Sequence, residues 1–211
     1  MTLFHQTEKK HMQYFNDKLN AEYQQLCATI ETLSRNKTLG ILSARKQTGK
    51  SLIALKLATE WAKMGEKVLL VDADFSCSQL NSVLNVQDHI GLGELIHNQI
   101  KIEQLQQYIQ STSITNLDII TAGKHQHLSS TDINNNSFLK IIASVKQLYD
   151  KVVITLPPIL SSASIKIAQA LDNNILIVNN GQTRSNDIQH LLSLLKLGNV
   201  NLLGYVMNNI D

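Results

Sequence analysis

The sequence predicts an α/β fold: a doubly wound, mostly parallel sheet flanked by helices, preceded by an N-terminal helical extension. Three observations carry this. Short, nearly continuous runs of Val, Ile and Leu recur along the chain, as in strands covered on both faces. Segments of helical periodicity separate them, which implies crossover connections and parallel pairing. The first such junction carries Gly49-Lys50-Ser51, a sequence that belongs between a strand and a helix.

The elements follow in order. Residues 1–36 contain no Gly or Pro, and Phe15, Leu19, Tyr23, Leu26 and Ile30 fall at helical spacing. One long amphipathic helix, or two, is expected there, giving an extension over 1–36 and a P-loop α/β domain over 37–211. Strands are expected at 39–44, 67–71, 117–121, 151–155, 174–178 and 201–207. Residues 51–64 read as a helix with Ile53, Leu57, Trp61 and Met64 on one face and Lys56, Glu60 and Lys63 on another. Gly65 supplies its C-terminal stop. The run Asn134-Asn135-Asn136 reads as a loop or a helix start.

Composition narrows the function classes. The 211 residues are 43% hydrophobic, which suits one domain with a full core and excludes a disordered chain. A net charge of +2 and an aromatic content of 5% give neither the basic footprint nor the stacking platform of a nucleic-acid binder. Eight Lys or Arg against four Asp or Glu in the first 50 residues is a mild basic excess, read as a solvated helix face. Cys27 and Cys77 form no metal-ligand spacing and no disulfide framework, which fits a reduced compartment. The polar N-terminus lacks the apolar core of a secretory signal, and no run of about 18 apolar residues is present to span a bilayer. His125-Gln126-His127 has no adjacent carboxylate or thiol and reads as a solvated loop. Ser161 and Ser162 lack a nucleophile-elbow context.

Chemistry concentrates at two strand ends. After Ser43-Ala44 come Arg45-Lys46-Gln47-Thr48, then Gly49-Lys50-Ser51, then the amphipathic helix. In a phosphate loop, backbone N–H groups and the positive helix end cradle phosphate oxygens. Thr48, Gly49, Lys50 and Ser51 are the candidate nucleotide-binding residues. Lys50 would reach the β and γ phosphates, and the Ser51 hydroxyl would ligate Mg²⁺. The loop departs from the standard pattern: Ala44 stands where Gly is usual, and Gln47 stands where variant loops have another Gly. Fewer glycines leave fewer positions free to take positive φ. The second strand ends in Val71-Asp72-Ala73-Asp74, and carboxylates at such an end face the ligand crevice. Asp72 is a candidate Mg²⁺ ligand, through water, or general base, with Asp74 assisting. The alternative for this pair is a cap or turn carboxylate.

With these motifs the chain resembles the bacterial tyrosine kinase (BY-kinase) family, P-loop proteins within the wider group of Min- and Par-type ATPases. The resemblance spans about residues 20–211. It rests on the loop at 43–51, on Val71-Asp72-Ala73-Asp74, and on Gly91-Leu92-Gly93-Glu94-Leu95. It continues through 117–123 (LDIITAG), 149–158 (YDKVVITLPP), 179–184 (NNGQTR) and 203–208 (LGYVMN). The resemblance implies a P-loop NTPase fold, ATP or ADP with Mg²⁺ as cofactors, Asn208 against adenine, and catalysis by Lys50, Asp72 and Asp74. It also implies cytoplasmic work beside a membrane-bound polysaccharide chain-length or export protein.

Several family features are replaced. Thr155 occupies the place of the Walker B carboxylate, which fixes Mg²⁺ and its water shell. Ser76 stands for an Arg, and residues 161–164 lack an Asp. Ala21, Gln24 and Cys27 stand at the Glu-x-x-Arg-x-x-Arg positions used to close rings. No tyrosine cluster follows Tyr205 before Asp211. The reading is therefore a degenerate member serving exopolysaccharide or capsule assembly, with weak or lost kinase activity. Two alternatives stand beside it. One is a partitioning or positioning ATPase, whose signature Lys is replaced here by Arg45. The other is an adaptor module that binds no nucleotide.

Overall fold

A computed structural model describes residues 17–75, 79–88, 90–97, 102–124, 137–158, 162–179 and 185–208. Helix α1 (Asp17–Leu33) leads into β1 (Thr38–Ser43), α2 (Lys50–Lys63) and β2 (Val68–Asp72). Next come α3 (Leu80–Leu84), α4 (Leu92–His97), a 3-10 helix (Ile102–Tyr108), β3 (Gln110–Ser111) and β4 (Leu117–Ile120). The chain continues through α5 (Ser137–Leu148), β5 (Lys151–Thr155), α6 (Ser162–Gln169), β6 (Asn173–Asn179), α7 (Ser185–Leu197) and β7 (Leu202–Asn208).

The seven strands form one sheet in the order β3-β4-β2-β5-β1-β6-β7. Every pairing is parallel except β3 with β4, and the six strands expected from the sequence are all present. The added strand, β3, spans two residues, too few for a periodicity signal.

Alternation within each strand sends side chains to two cores. Val68 and Leu70 of β2 join Val153 of β5 and Ile41 of β1 under α1, α2 and α3. Leu69, Val71, Val152, Ile154 and Leu42 lie on the opposite face with Phe138 and Ile142 of α5 and Leu191 and Leu195 of α7. Burial on both faces is why the strands read as continuous apolar runs.

The two-faced reading of α2 needs correction. Ile53, Leu57 and Trp61 are buried as expected, but so are Lys56 (5% exposed) and Glu60 (1%), whereas Met64 is 55% exposed. The cause is α1, which covers the outer side of α2. Gln24 Nε2 donates to Glu60 Oε2 at 3.0 Å, and Lys63 Nζ donates to Glu60 Oε1 at 2.6 Å. Burial pushes the Lys56 ammonium below its ordinary value; the charge of Lys63 adds to this and Glu60 opposes it. Met64 caps the helix, and Gly65 takes φ 93° immediately after it, the left-handed stop that the sequence indicates.

Of the proposed N-terminal stripe, Ile30 is buried and Tyr23 and Leu26 pack at the edge of the same core. Phe15 and the side chain of Leu19 lie outside the described residues. So do Ser76, Cys77, His125, His127, the Asn134-Asn135-Asn136 run and Ser161. Among the described residues no helix is long and apolar enough to cross a membrane.

Candidate nucleotide-binding site

Strand order creates the site. β5 lies between β2 and β1, so the C-terminal ends of these three strands sit side by side. Asp72 pairs in register with Thr155, and Thr155 with Ile41 of β1. The loop after β1, the acids at and just beyond the end of β2 and the end of β5 therefore meet at the carboxyl edge of the sheet, where open α/β folds place ligands.

The loop runs from Ser43, whose Oγ donates to the Arg45 carbonyl at 2.6 Å, to Gly49 at the N-cap of α2. Two positions take left-handed backbone: Gly49 at φ 79° and Gln47 at φ 57°. Gln47 occupies the position where variant loops have glycine, so the requirement for positive φ persists although the residue has changed. An open cavity of about 270 Å³ lies against the loop, with Asp74 beside it and Gln79, Leu80 and Val83 on its far wall.

The expected site residues come together as follows. Lys50 Nζ lies 3.0 Å from Asp74 Oδ2, with both side chains under 5% exposed. Asp72 Oδ1 accepts two hydrogen bonds, one from Thr155 Oγ1 at 2.7 Å and one from the Asp74 N–H at 3.1 Å. Ser51 lines the cavity at the first turn of α2. Thr48 is buried, and its Oγ1 has no hydrogen-bond partner among the described residues. Asn208, at the end of β7, donates from Nδ2 to the Thr48 carbonyl at 3.0 Å. Within this structure its amide therefore braces the loop, a contact that the expected adenine role does not include.

Three features escaped the sequence. Arg45 donates to Asp187 Oδ2 from Nε at 3.0 Å and from Nη2 at 2.6 Å, tying the loop to the first turn of α7. Thr155, read as a loss, makes a hydrogen bond of its own. The Asn208 tether spans 160 positions. Each joins residues far apart in sequence, where no local pattern can signal a contact. Gln47 differs from these three, since its place in the loop was a readable cue.

The segment 91–95 is held by a second set of hydrogen bonds. Glu94 is buried and accepts the Gly91 N–H at 2.8 Å and the Lys124 N–H at 2.9 Å. Leu92 and Gly93 donate to the carbonyls of Thr121 and Ala122. The start of α4 is thereby stitched to the end of β4.

The donor set fits Mg²⁺ held with a nucleotide. Ser51 and Asp72 offer hard oxygen ligands, and Mg²⁺ commonly takes one or two of these plus phosphate oxygens and water. Among the described residues no group of three or more His, Cys, Asp or Glu forms a cage for a metal. The orphaned Thr48 hydroxyl and the Lys50 ammonium suit an anionic oxygen in the same cavity.

The chain is similar to known proteins over most of its length. An AAA domain family model matches residues 36–202. The chain is 28% identical over 195 residues to the tyrosine-protein kinase YwqD of Bacillus subtilis, covering 90% of this chain and 81% of that protein. It is 28% identical over 179 residues to the tyrosine-protein kinase ptk of Acinetobacter johnsonii, covering 84% of this chain but only 24% of that longer protein. The kinase domain of the Escherichia coli tyrosine kinase ETK superposes with a TM-score of 0.83 at 20% identity, over 90% of this chain and 75% of that one. The septum site-determining protein MinD of Pyrococcus horikoshii, solved with Mg-ADP, superposes at 0.66 with 26% identity, over 82% of this chain and 70% of that one. The fold is thus that of the P-loop NTPases, with Min-type proteins as more distant relatives. On the extent of the domain match and the order of its motifs, the chain belongs to the AAA domain family and, within it, to the BY-kinases.

Proposed function

We propose that this chain binds ATP or ADP with Mg²⁺ at the loop of residues 48–51 and serves bacterial exopolysaccharide or capsule assembly as a BY-kinase-like protein of weak phosphoryl-transfer activity. The observation that carries the reading is the buried pairing of Lys50 with Asp74 at 3.0 Å, beside a loop whose Thr48 hydroxyl is unpartnered. An ammonium held in such a place by one carboxylate is already desolvated and directed at the loop, ready to exchange that partner for a phosphate.

In this reading the backbone of residues 48–51 and the start of α2 bind the phosphates. Lys50 neutralises their charge, Ser51 and Asp72 hold the ion, and Asp74 receives or releases Lys50. Asn208 and Arg45 keep the loop in shape from two sides. Mg²⁺, when bound, would offset the negative charge that develops on transfer. Thr155 has no charge to add to that ion, which is why transfer is proposed to be slow: phosphoryl transfer depends on positioning and charge stabilisation. The proposed partner is a membrane-bound polysaccharide chain-length or export protein at the cytoplasmic face, by analogy with the family. The Min-type alternative is less favoured, because Arg45, at the position of that group's signature Lys, is engaged by Asp187 within the same chain.

Calorimetric titration of Mg²⁺–ADP and Mg²⁺–ATP tests the reading. Wild type is expected to bind both, and Lys50→Ala to lose at least about tenfold in affinity, the scale of one charge-assisted hydrogen bond. Lys50→Ala also strands Asp74, so Ser51→Ala serves as the companion variant, read by loss of the Mg²⁺-dependent part of binding. Equal heats for wild type and both variants would refute binding at this loop, and no heat for wild type would refute nucleotide binding.

A further inference from the structure

The buried hydroxyl at the end of β5 has a geometry that the loss of a carboxylate does not explain. Thr155 and Asp72 are both fully buried, lie in register on neighbouring strands, and are joined by a 2.7 Å hydrogen bond. Threonine is a fitting donor here. Its branched Cβ restricts χ1, so the hydroxyl is held toward the adjacent strand. The same Asp72 oxygen accepts the Asp74 N–H, and Asp74 in turn holds Lys50. One chain of contacts thus runs from Thr155 through Asp72 and Asp74 to the loop lysine.

A second carboxylate at position 155 would repel Asp72 at this separation unless a cation lay between them. A hydroxyl removes that repulsion and donates instead. We propose that Thr155 is a positioning residue, whose hydroxyl orients the Asp72 carboxylate so that this single acid holds the hydrated Mg²⁺ of a bound nucleotide. The inference rests on the nucleotide-binding reading above and specifies how its metal is retained. It recasts residue 155 as a replacement for the missing charge by a fixed dipole. Groups that orient a metal-binding carboxylate commonly govern metal affinity by about 10- to 100-fold when removed.

The test compares wild type, Thr155→Val and Thr155→Ser by calorimetric titration with ADP, each with and without Mg²⁺. The readout is the ratio of the two affinities, which a general loosening of the fold does not change. Wild type and Thr155→Ser are expected to show the same Mg²⁺ gain, and Thr155→Val a gain smaller by about 10- to 100-fold. If Thr155→Val does not fold, Thr155→Ala against Thr155→Ser decides, since that pair differs only in the hydroxyl. An undiminished gain in the variants lacking the hydroxyl would overturn the proposal. So would equal losses with and without Mg²⁺, or a failure of Thr155→Ser to preserve the gain. Wild type that binds ADP without any Mg²⁺ gain overturns this proposal alone, whereas wild type that binds no ADP overturns the nucleotide reading with it.

Discussion

Gln47 shows how a loop keeps its shape after losing a glycine. Its φ of 57° places a residue with a Cβ in the left-handed region, at a cost of roughly 1 kcal/mol. The neighbouring Gly49 meets the same requirement without that cost. Replacing Gln47 by Gly is therefore expected to raise stability by up to about 1 kcal/mol, less what the unfolded chain gains in freedom. Urea denaturation measures it, and a loss of stability would show that the Gln47 side chain contributes more than its backbone costs. The other residues of the site divide by how they can be read. Lys50, Ser51, Asp72 and Asp74 were legible because their types and spacing match a chemistry. Thr155 was legible only as a substitution; its hydrogen bond to Asp72 required the register of two strands far apart in sequence.

Helix α1 carries the clearest lesson among the elements. The Gln24 and Cys27 positions, which in the family would hold ring-closing arginines, here serve the contact with α2. Gln24 bonds Glu60, and the Cys27 thiol points to the Leu57 carbonyl at 3.8 Å. Burial, then the charges of Glu60 and Glu31, push this thiol up to about 12, with Lys151 opposing. A thiol that is buried and protonated at neutral pH reacts slowly. Cys27 is therefore expected to resist iodoacetamide at pH 8 in the native protein and to react once urea releases α1, as read by peptide-level mass spectrometry that separates it from Cys77. Rapid native labelling would mean that α1 detaches readily from α2. The sequence identified α2 as an amphipathic helix with Lys56, Glu60 and Lys63 on a second face, and a pattern of Lys and Glu cannot reveal that another helix will cover it.

At the scale of the molecule, the sheet is closed at its amino edge by a polar cluster opposite the site. Asp172 accepts the Thr38 N–H at 3.1 Å, the Thr38 hydroxyl at 2.9 Å and the Lys146 ammonium at 2.7 Å, joining β1, α5 and the approach to β6. Burial alone would raise its carboxyl, but the hydrogen bonds from Lys146 and Thr38 and the charge of Lys146 outweigh it, so it lies below its ordinary value. A carboxylate depressed in the folded state stabilises above its unfolded value, about 4, and that contribution disappears as the pH falls through the folded value. Asp172→Asn is expected to unfold at lower urea than wild type at pH 7, with the gap narrowing as the pH is lowered from 5 toward 3. A gap that stays constant would assign the effect to packing. By itself the sequence determined the parallel α/β architecture, the phosphate loop and the two acids, since periodicity and motif spacing are properties of neighbouring residues. Only the tertiary structure decided that Thr155 meets Asp72, that Asp74 holds Lys50, that Asn208 braces Thr48 and that α1 covers α2. Those contacts depend on which strands lie side by side, and strand order is set by burial of both sheet faces across the whole chain, which no local window contains.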